Sequence, residues 1–105
     1  MIWIISGTQD GREIGAALAD REQSKPEGER REILMTVVSQ YGKVLAAHKG
    51  LDIEVGRFRE EDMLRVIREK GISLILDASH PYAAIVSETA RAACTKAGSG
   101  YVRYE

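Results

Sequence analysis

The residues best suited to chemistry lie together in Asp77-Ala78-Ser79-His80-Pro81-Tyr82-Ala83. A carboxylate, a hydroxyl, an imidazole and a phenol are gathered there, directly after the apolar run Leu74-Ile75-Leu76. In an open α/β sheet, ligands bind just outside the carboxyl ends of the strands. Groups of these types at such an edge can hold a phosphate or carboxylate, or orient a substrate. A self-contained Ser-His-Asp hydrolase is disfavoured, because Ser79 and His80 are adjacent and no G-x-S-x-G elbow is present. The same residues also read as a polar turn, with Pro81 opening a helix where its missing N–H costs nothing.

A second stretch with chemical potential is Gly7-Thr8-Gln9-Asp10-Gly11-Arg12, between the first apolar run and the first helical pattern. Backbone N–H groups and the positive end of a helix dipole converge at such a turn and can hold a phosphate. Gly7, Gly11 and Gly15 depart from the usual dinucleotide spacing, so an ordinary strand-to-helix turn fits equally well. On the phosphate reading, Gly7 supplies a backbone conformation closed to other residues, Thr8 donates its hydroxyl and Arg12 neutralises charge. Asp10 is better placed as a helix cap, with Glu13 three residues on completing a capping box. After the second apolar run, Ser39 and Gln40 stand where an NAD-selecting fold places an acid, and Lys43 follows. A 2′-phosphorylated cofactor is therefore permitted. His48 reads as a structural cation near a helix end, and Cys94 as a small core residue. Two histidines and one cysteine that do not cluster disfavour a metal site.

The elements that must position these residues alternate. Buried strands are expected over Met1–Ser6, Ile33–Ser39 and Ile72–Leu76, and an edge strand over Leu51–Val55, where apolar and acidic residues alternate. A final strand spans Tyr101–Tyr104. Helices are expected after Glu13, with Ile14, Ala17 and Leu18 on one face, and over Gln40–Lys49, with Tyr41, Val44 and Leu45 at helical spacing. Two more cover Arg59–Lys70, closed by Gly71, and Tyr82–Ala97, closed by Gly98. Residues 21–32 are almost all charged or turn-forming and read as a solvated, mobile connection. The alternation predicts an α/β, Rossmann-like three-layer domain with a mainly parallel sheet of about five strands.

With 105 residues the chain is one domain, able to bury roughly 65% of its unfolded surface. Fifteen basic against sixteen acidic residues give a net charge of −1, which argues against nucleic-acid or acidic-membrane partners. One cysteine excludes an internal disulfide and fits a reducing compartment, and the apolar N-terminus is too short for a signal peptide or span. A cytoplasmic protein is expected. The last strand runs into Glu105 with no closing element, so the chain looks cut short and its exposed strand could pair with a second copy.

Ser-Gly-Thr-Gln-Asp-Gly-Arg (6–12), Val38-Ser39-Gln40-Tyr41-Gly42, Val55-Gly56-Arg57, the 77–83 stretch and the closing Tyr101-Val102-Arg103-Tyr104-Glu105 resemble the precorrin-6A reductase family of cobalamin biosynthesis. The resemblance implies that residues 1–105 are the N-terminal domain of a longer enzyme, with a second α/β domain forming the other wall of the active-site cleft. It implies NADPH as cofactor, a tetrapyrrole-derived macrocycle, precorrin-6A or cobalt-precorrin-6A, as substrate, and reduction of one double bond of that macrocycle. By position it places Gly7, Thr8, Gln9, Arg12, Ser39 and Ser79 toward the cofactor, and His80 and Tyr82 toward the nicotinamide and the macrocycle. Arg12, Arg57 and His80 would anchor substrate carboxylates. Ser6 stands where the family more often has Gly, Asp10 where it has Glu, and the charged stretch at 23–30 is longer than usual. The competing reading is a non-catalytic α/β module that binds a nucleotide or a protein, its glycine loop a turn and its His-Pro-Tyr loop a contact surface.

Overall fold

The structure is a computed structural model and describes residues 1–104; Glu105, counted above with the closing stretch, lies outside them. Five strands form one sheet: β1 (Ile2–Ser6), β2 (Ile33–Val37), β3 (Leu51–Val55), β4 (Leu74–Ala78) and β5 (Gly100–Arg103). Their order is β3-β2-β1-β4-β5 and every pairing is parallel. The chain runs outward from β1 through β2 to β3, then crosses over to β4 and β5. The topological switch point therefore lies between the carboxyl ends of β1 and β4, the expected place for a ligand crevice.

Four helices cover the two faces: α1 (Gln9–Gln23), α2 (Gln40–Ala46), α3 (Glu60–Lys70) and α4 (Ala84–Ala97). Strand alternation divides the core. Trp3, Ile5, Leu34 and Ile75 face Met63 and Ile67 of α3 and Ala90, Ala93 and Cys94 of α4. Ile2, Ile4, Ile33 and Met35 face Ala19 of α1 and Ala46 of α2. All five residues of β1 and of β2 are buried, as continuous apolar runs inside a doubly covered parallel sheet should be. β3 and β5 are the edges, each alternating half-buried and exposed residues. Gly71 and Gly98 close α3 and α4 in the left-handed conformation, at φ 65° and 74°.

Several expectations need correction. α1 is capped by Thr8, whose Oγ1 accepts from the Gly11 N–H at 3.1 Å, and not by Asp10. Helix begins at Gln9, so Asp10 already lies in the first turn. The face of α1 laid on the sheet is Gly11, Gly15 and Ala19, whereas Ala17 is exposed and Ile14 and Leu18 only half-buried. Small residues win there because the helix sits close: a Cβ on Gly15 would run into the terminal methyl of the fully buried Met35. α2 stops at Ala46, and its Tyr41, Val44 and Leu45 point to solvent while Ala46 alone is buried. His48 therefore follows the helix, with Nε2 2.8 Å from Asp20. Residues 21–32 are more tightly held than their charge implies. Glu22 is buried and accepts from Lys25 Nζ at 2.8 Å and the Arg31 N–H at 2.7 Å, while α1 runs on to Gln23.

Candidate functional site

β4 extends two residues beyond its apolar run, so Asp77 and Ala78 belong to the strand and not to the loop. Asp77 shares the strand face of Ile75 and is wholly buried. Its Oδ1 accepts from the Ser79 N–H at 3.0 Å and from Arg103 Nη1 at 3.0 Å. Its Oδ2 accepts from the Ser87 hydroxyl at 2.6 Å and the Tyr101 phenol at 2.5 Å. One carboxylate thus ties the loop after β4, the first turn of α4 and the neighbouring strand β5. Burial by itself would raise the Asp77 pKa, but the donors from Ser79, Ser87 and Tyr101 outweigh it and hold the carboxyl below its ordinary value. Burial, and next the hydrogen bond to the Asp77 carboxylate, push the Tyr101 phenol up.

The loop held by this carboxylate carries His80-Pro81-Tyr82. Pro81 lies in the turn and does not open the helix, which begins at Ala84. His80 Nδ1 accepts from the Tyr82 N–H at 3.2 Å, so the neutral ring carries its proton on Nε2. The two rings lie against each other, centroids 5.0 Å apart, and both side chains are exposed. The β1–α1 loop approaches closely from the other side. A Cβ on Gly7 would stand 2.9 Å from the His80 backbone nitrogen, and Gly7 N–H donates to the Ala78 carbonyl at 3.3 Å. Gly7 is needed for this clearance, not for an unusual backbone angle, since the glycines with positive φ are Gly50, Gly71 and Gly98.

Beside these loops, at the carboxyl ends of β1, β2 and β4 and on the α3–α4 side, lies a cleft of about 380 Å³. Gly7, Ser79 and His80 line it, with Val37 and Val38 from the end of β2 and Gly56, Arg57 and Phe58 from the β3–α3 loop. Ile85 and Val86 of α4 close its apolar wall. Mostly apolar walls with a few convergent polar groups are the usual build of a small-molecule site. The sequence pointed to the polar members; the apolar ones, Phe58 and Ile85 among them, become recognisable as a wall only once α3 and α4 share a face of the sheet. Tyr101 and Arg103 were also missed as partners of Asp77. The one sequence signal was an acid on the inward face of a buried strand, which demands a donor set.

The other expected cofactor residues, Thr8, Gln9, Arg12 and Ser39, do not line the cleft. Thr8 Oγ1 also reaches the Ala78 carbonyl at 3.4 Å, so its hydroxyl bridges the start of α1 to the end of β4. Gln9 Nε2 donates to Glu13 Oε1 at 3.1 Å, one helical turn on. Arg12 is half-buried on the first turns of α1. Ser39 is exposed and caps α2, its Oγ accepting from the Gly42 N–H at 3.0 Å.

The family described as precorrin-6x reductase CbiJ/CobK matches residues 1–105 in full. The chain belongs to this family. It is 32% identical over 105 residues to a cobalt-precorrin-6A reductase of Priestia megaterium, covering 100% of this chain and 38% of that protein. A protein of the same name from Synechocystis sp. is 29% identical over 105 residues, with 99% of this chain and 37% of the relative covered. Among solved structures, a CobK precorrin-6A reductase superposes with a TM-score of 0.73 at 23% identity, covering 99% of this chain and 36% of that one. The chain therefore spans little more than a third of the relatives it matches. Its five-stranded, all-parallel sheet has a Rossmann-like order, in keeping with the Rossmann-like, mainly parallel sheet of about five strands that the sequence predicted. Among the described residues no helix is long and apolar enough to cross a membrane, and no group of His, Cys, Asp and Glu is arranged to hold a metal.

Proposed function

We propose that this chain is the N-terminal NADPH-binding domain of a cytoplasmic precorrin-6A or cobalt-precorrin-6A reductase. The observation that carries the reading is the cleft at the β1–β4 switch point, walled by the Gly7 and Ser79-His80 loops, in a chain matched throughout by a reductase family. The residues present suit the cofactor. Gly7 lets the β1–α1 loop close against the His80 backbone, where a Cβ would not fit, and the polar groups lining the cleft include Arg57, the Ser79 hydroxyl and His80, which match phosphate and carboxamide groups. Ser39 and Lys43 put a hydroxyl and a cation after β2, where a 2′-phosphate would be held and an acid would repel it.

NADPH, when bound, supplies the hydride that reduces the macrocycle's double bond. The chain's contribution is placement and charge. Gly7, Thr8, Gln9 and Arg12 bind the phosphates at the start of α1, with the helix dipole behind them. Ser79 orients the nicotinamide half. His80 and Tyr82, exposed side by side, present a donor and an aromatic face to the macrocycle, and Arg12, Arg57 and His80 hold its carboxylates.

Trp3 gives a direct test. It is the single tryptophan, packs edge-on against Phe58 with centroids 5.4 Å apart, and donates to Thr36 Oγ1 at 2.9 Å. Phe58 and Thr36 both line the cleft. Titration of the chain with NADPH is expected to change Trp3 emission saturably, at lower concentration than with NADH, and His80→Ala or Arg12→Ala should weaken the response. No saturable change with either nucleotide would sink the cofactor reading and favour the plain α/β module.

A further inference from the structure

We propose that the Thr36 hydroxyl is the hydrogen-bond donor at the deep end of the cleft, held in that role by Trp3, and that it takes an uncharged acceptor on the edge of one of the nucleotide's rings. This rests on the cofactor reading above. Thr36 stands beside Ile5 in the β1–β2 pairing, on the strand face that carries Leu34. It is 4% exposed and lines the cleft together with the buried Ile5 and Met63.

Trp3 fixes the direction of hydrogen bonding at this residue. An indole N–H can only donate. Trp3 Nε1 donates to Thr36 Oγ1 at 2.9 Å, so Thr36 accepts in that bond and its own proton takes no part in it. Trp3 is wholly buried against Phe58, and turning the indole away would leave a buried N–H unpaired. The Thr36 side chain makes no other hydrogen bond among the described residues. The other two buried hydroxyls of the cleft are engaged elsewhere. Ser79 belongs to the Asp77 network, and Ser6 faces α1, with Oγ 2.7 Å from where a Cβ on Gly11 would stand. Thr36 is therefore the buried hydroxyl whose proton a ligand in the cleft can take.

Its surroundings narrow the acceptor. Ile5, Phe58, Met63, Ile85 and Val86 present apolar side chains to the same space, and a phosphate carried to that end would give up its water for a single hydroxyl. A flat ring with apolar faces and an acceptor at its edge loses far less. Two rings of NADPH have that form: the adenine, through a ring nitrogen, and the dihydronicotinamide, through its carboxamide carbonyl.

Thr36→Val alone would orphan the Trp3 N–H, so the decisive comparison is made in a Trp3→Phe background, where both partners of the bond are gone. By calorimetric titration, Trp3→Phe/Thr36→Val is expected to bind NADPH roughly tenfold more weakly than Trp3→Phe, the size of one hydrogen bond, with a similar thermal midpoint. Thr36→Ser in the same background keeps the hydroxyl and should recover most of that loss. Titration with 2′-phospho-AMP and with reduced nicotinamide mononucleotide identifies the ring. A loss confined to the first assigns the acceptor to adenine, and a loss confined to the second assigns it to the carboxamide; a loss with both would show general damage to the cleft and overturn the proposal. Binding of NADPH by Trp3→Phe/Thr36→Val within about threefold of Trp3→Phe would overturn it while leaving the cofactor reading intact. A parent chain that does not bind NADPH overturns both.

Discussion

Asp77 has no exposed surface, and four donors from three different elements converge on its two oxygens. A buried carboxylate is tolerable only when it is paired and fully hydrogen-bonded, and no buried side-chain polar atom among the described residues lacks a partner. Removing its charge leaves Arg103 and two hydroxyls facing a poorer acceptor. Asp77→Asn is therefore expected to lose about 2–4 kcal/mol of stability at neutral pH, measured by urea unfolding. The pH dependence has a definite sign. The folded-state pKa lies below the ordinary value of 3.8, so the folded state binds this proton less readily than the unfolded chain. The stabilisation is full above the ordinary value and is lost as pH falls below it toward the folded pKa. The parent should weaken through that acid window, and the Asn variant should lack this part of the decline; parallel acid limbs would refute the assignment. At this scale the sequence exposed the right stretch but not its wiring. Asp77 is 24 and 26 residues from Tyr101 and Arg103, and only the β4–β5 pairing brings them together.

Among the elements, the four helices and five strands were legible because hydrophobic period and glycine stops agree with the fold. What failed was the choice of helix face in α1 and α2. Apolar size misled in both. Ile14 and Leu18 were expected against the sheet, yet α1 approaches through Gly11, Gly15 and Ala19, where absence of bulk is the requirement. In α2 the larger apolar residues are exposed, because a helix of seven residues buries little beyond Ala46. The same demand for clearance governs the meeting of the β1–α1 and β4–α4 loops. Gly7→Ala would put its methyl against the His80 backbone, which cannot rotate away as a side chain could. The loops would have to separate, at about 1–3 kcal/mol. The variant should melt lower and bind NADPH more weakly, both relative to Gly28→Ala, whose added methyl meets open space. Equal behaviour of the two would show that loop contact does not shape the cleft.

For the molecule as a whole, the Cα radius of gyration is 12.8 Å, close to the ~13 Å of a folded domain of this length. Both faces of the sheet carry their own core, so the chain is expected to fold and bind a nucleotide by itself. Turnover is another matter. Hydride transfer needs donor and acceptor carbons near van der Waals contact and aligned, and misplacement by about 1 Å can cost a hundredfold in rate. The cleft has loops at the strand ends on one side and stands open above exposed His80, Tyr82 and Ile85. Its relatives are more than two and a half times as long, with 38% and 37% of their lengths matched. Under saturating NADPH, the 105-residue chain is expected to bind the cofactor yet reduce precorrin-6A at a rate indistinguishable from background. Adding the unmatched part of a relative such as the Priestia megaterium protein, fused after the last strand, should restore oxidation of NADPH followed by loss of its 340 nm absorbance (roughly, the nicotinamide band). Restoration should fail in Gly7→Ala and His80→Ala fusions if this wall holds the cofactor and substrate. Full-rate reduction by the short chain alone would refute the division of labour, because the positioning would then be complete without a second wall.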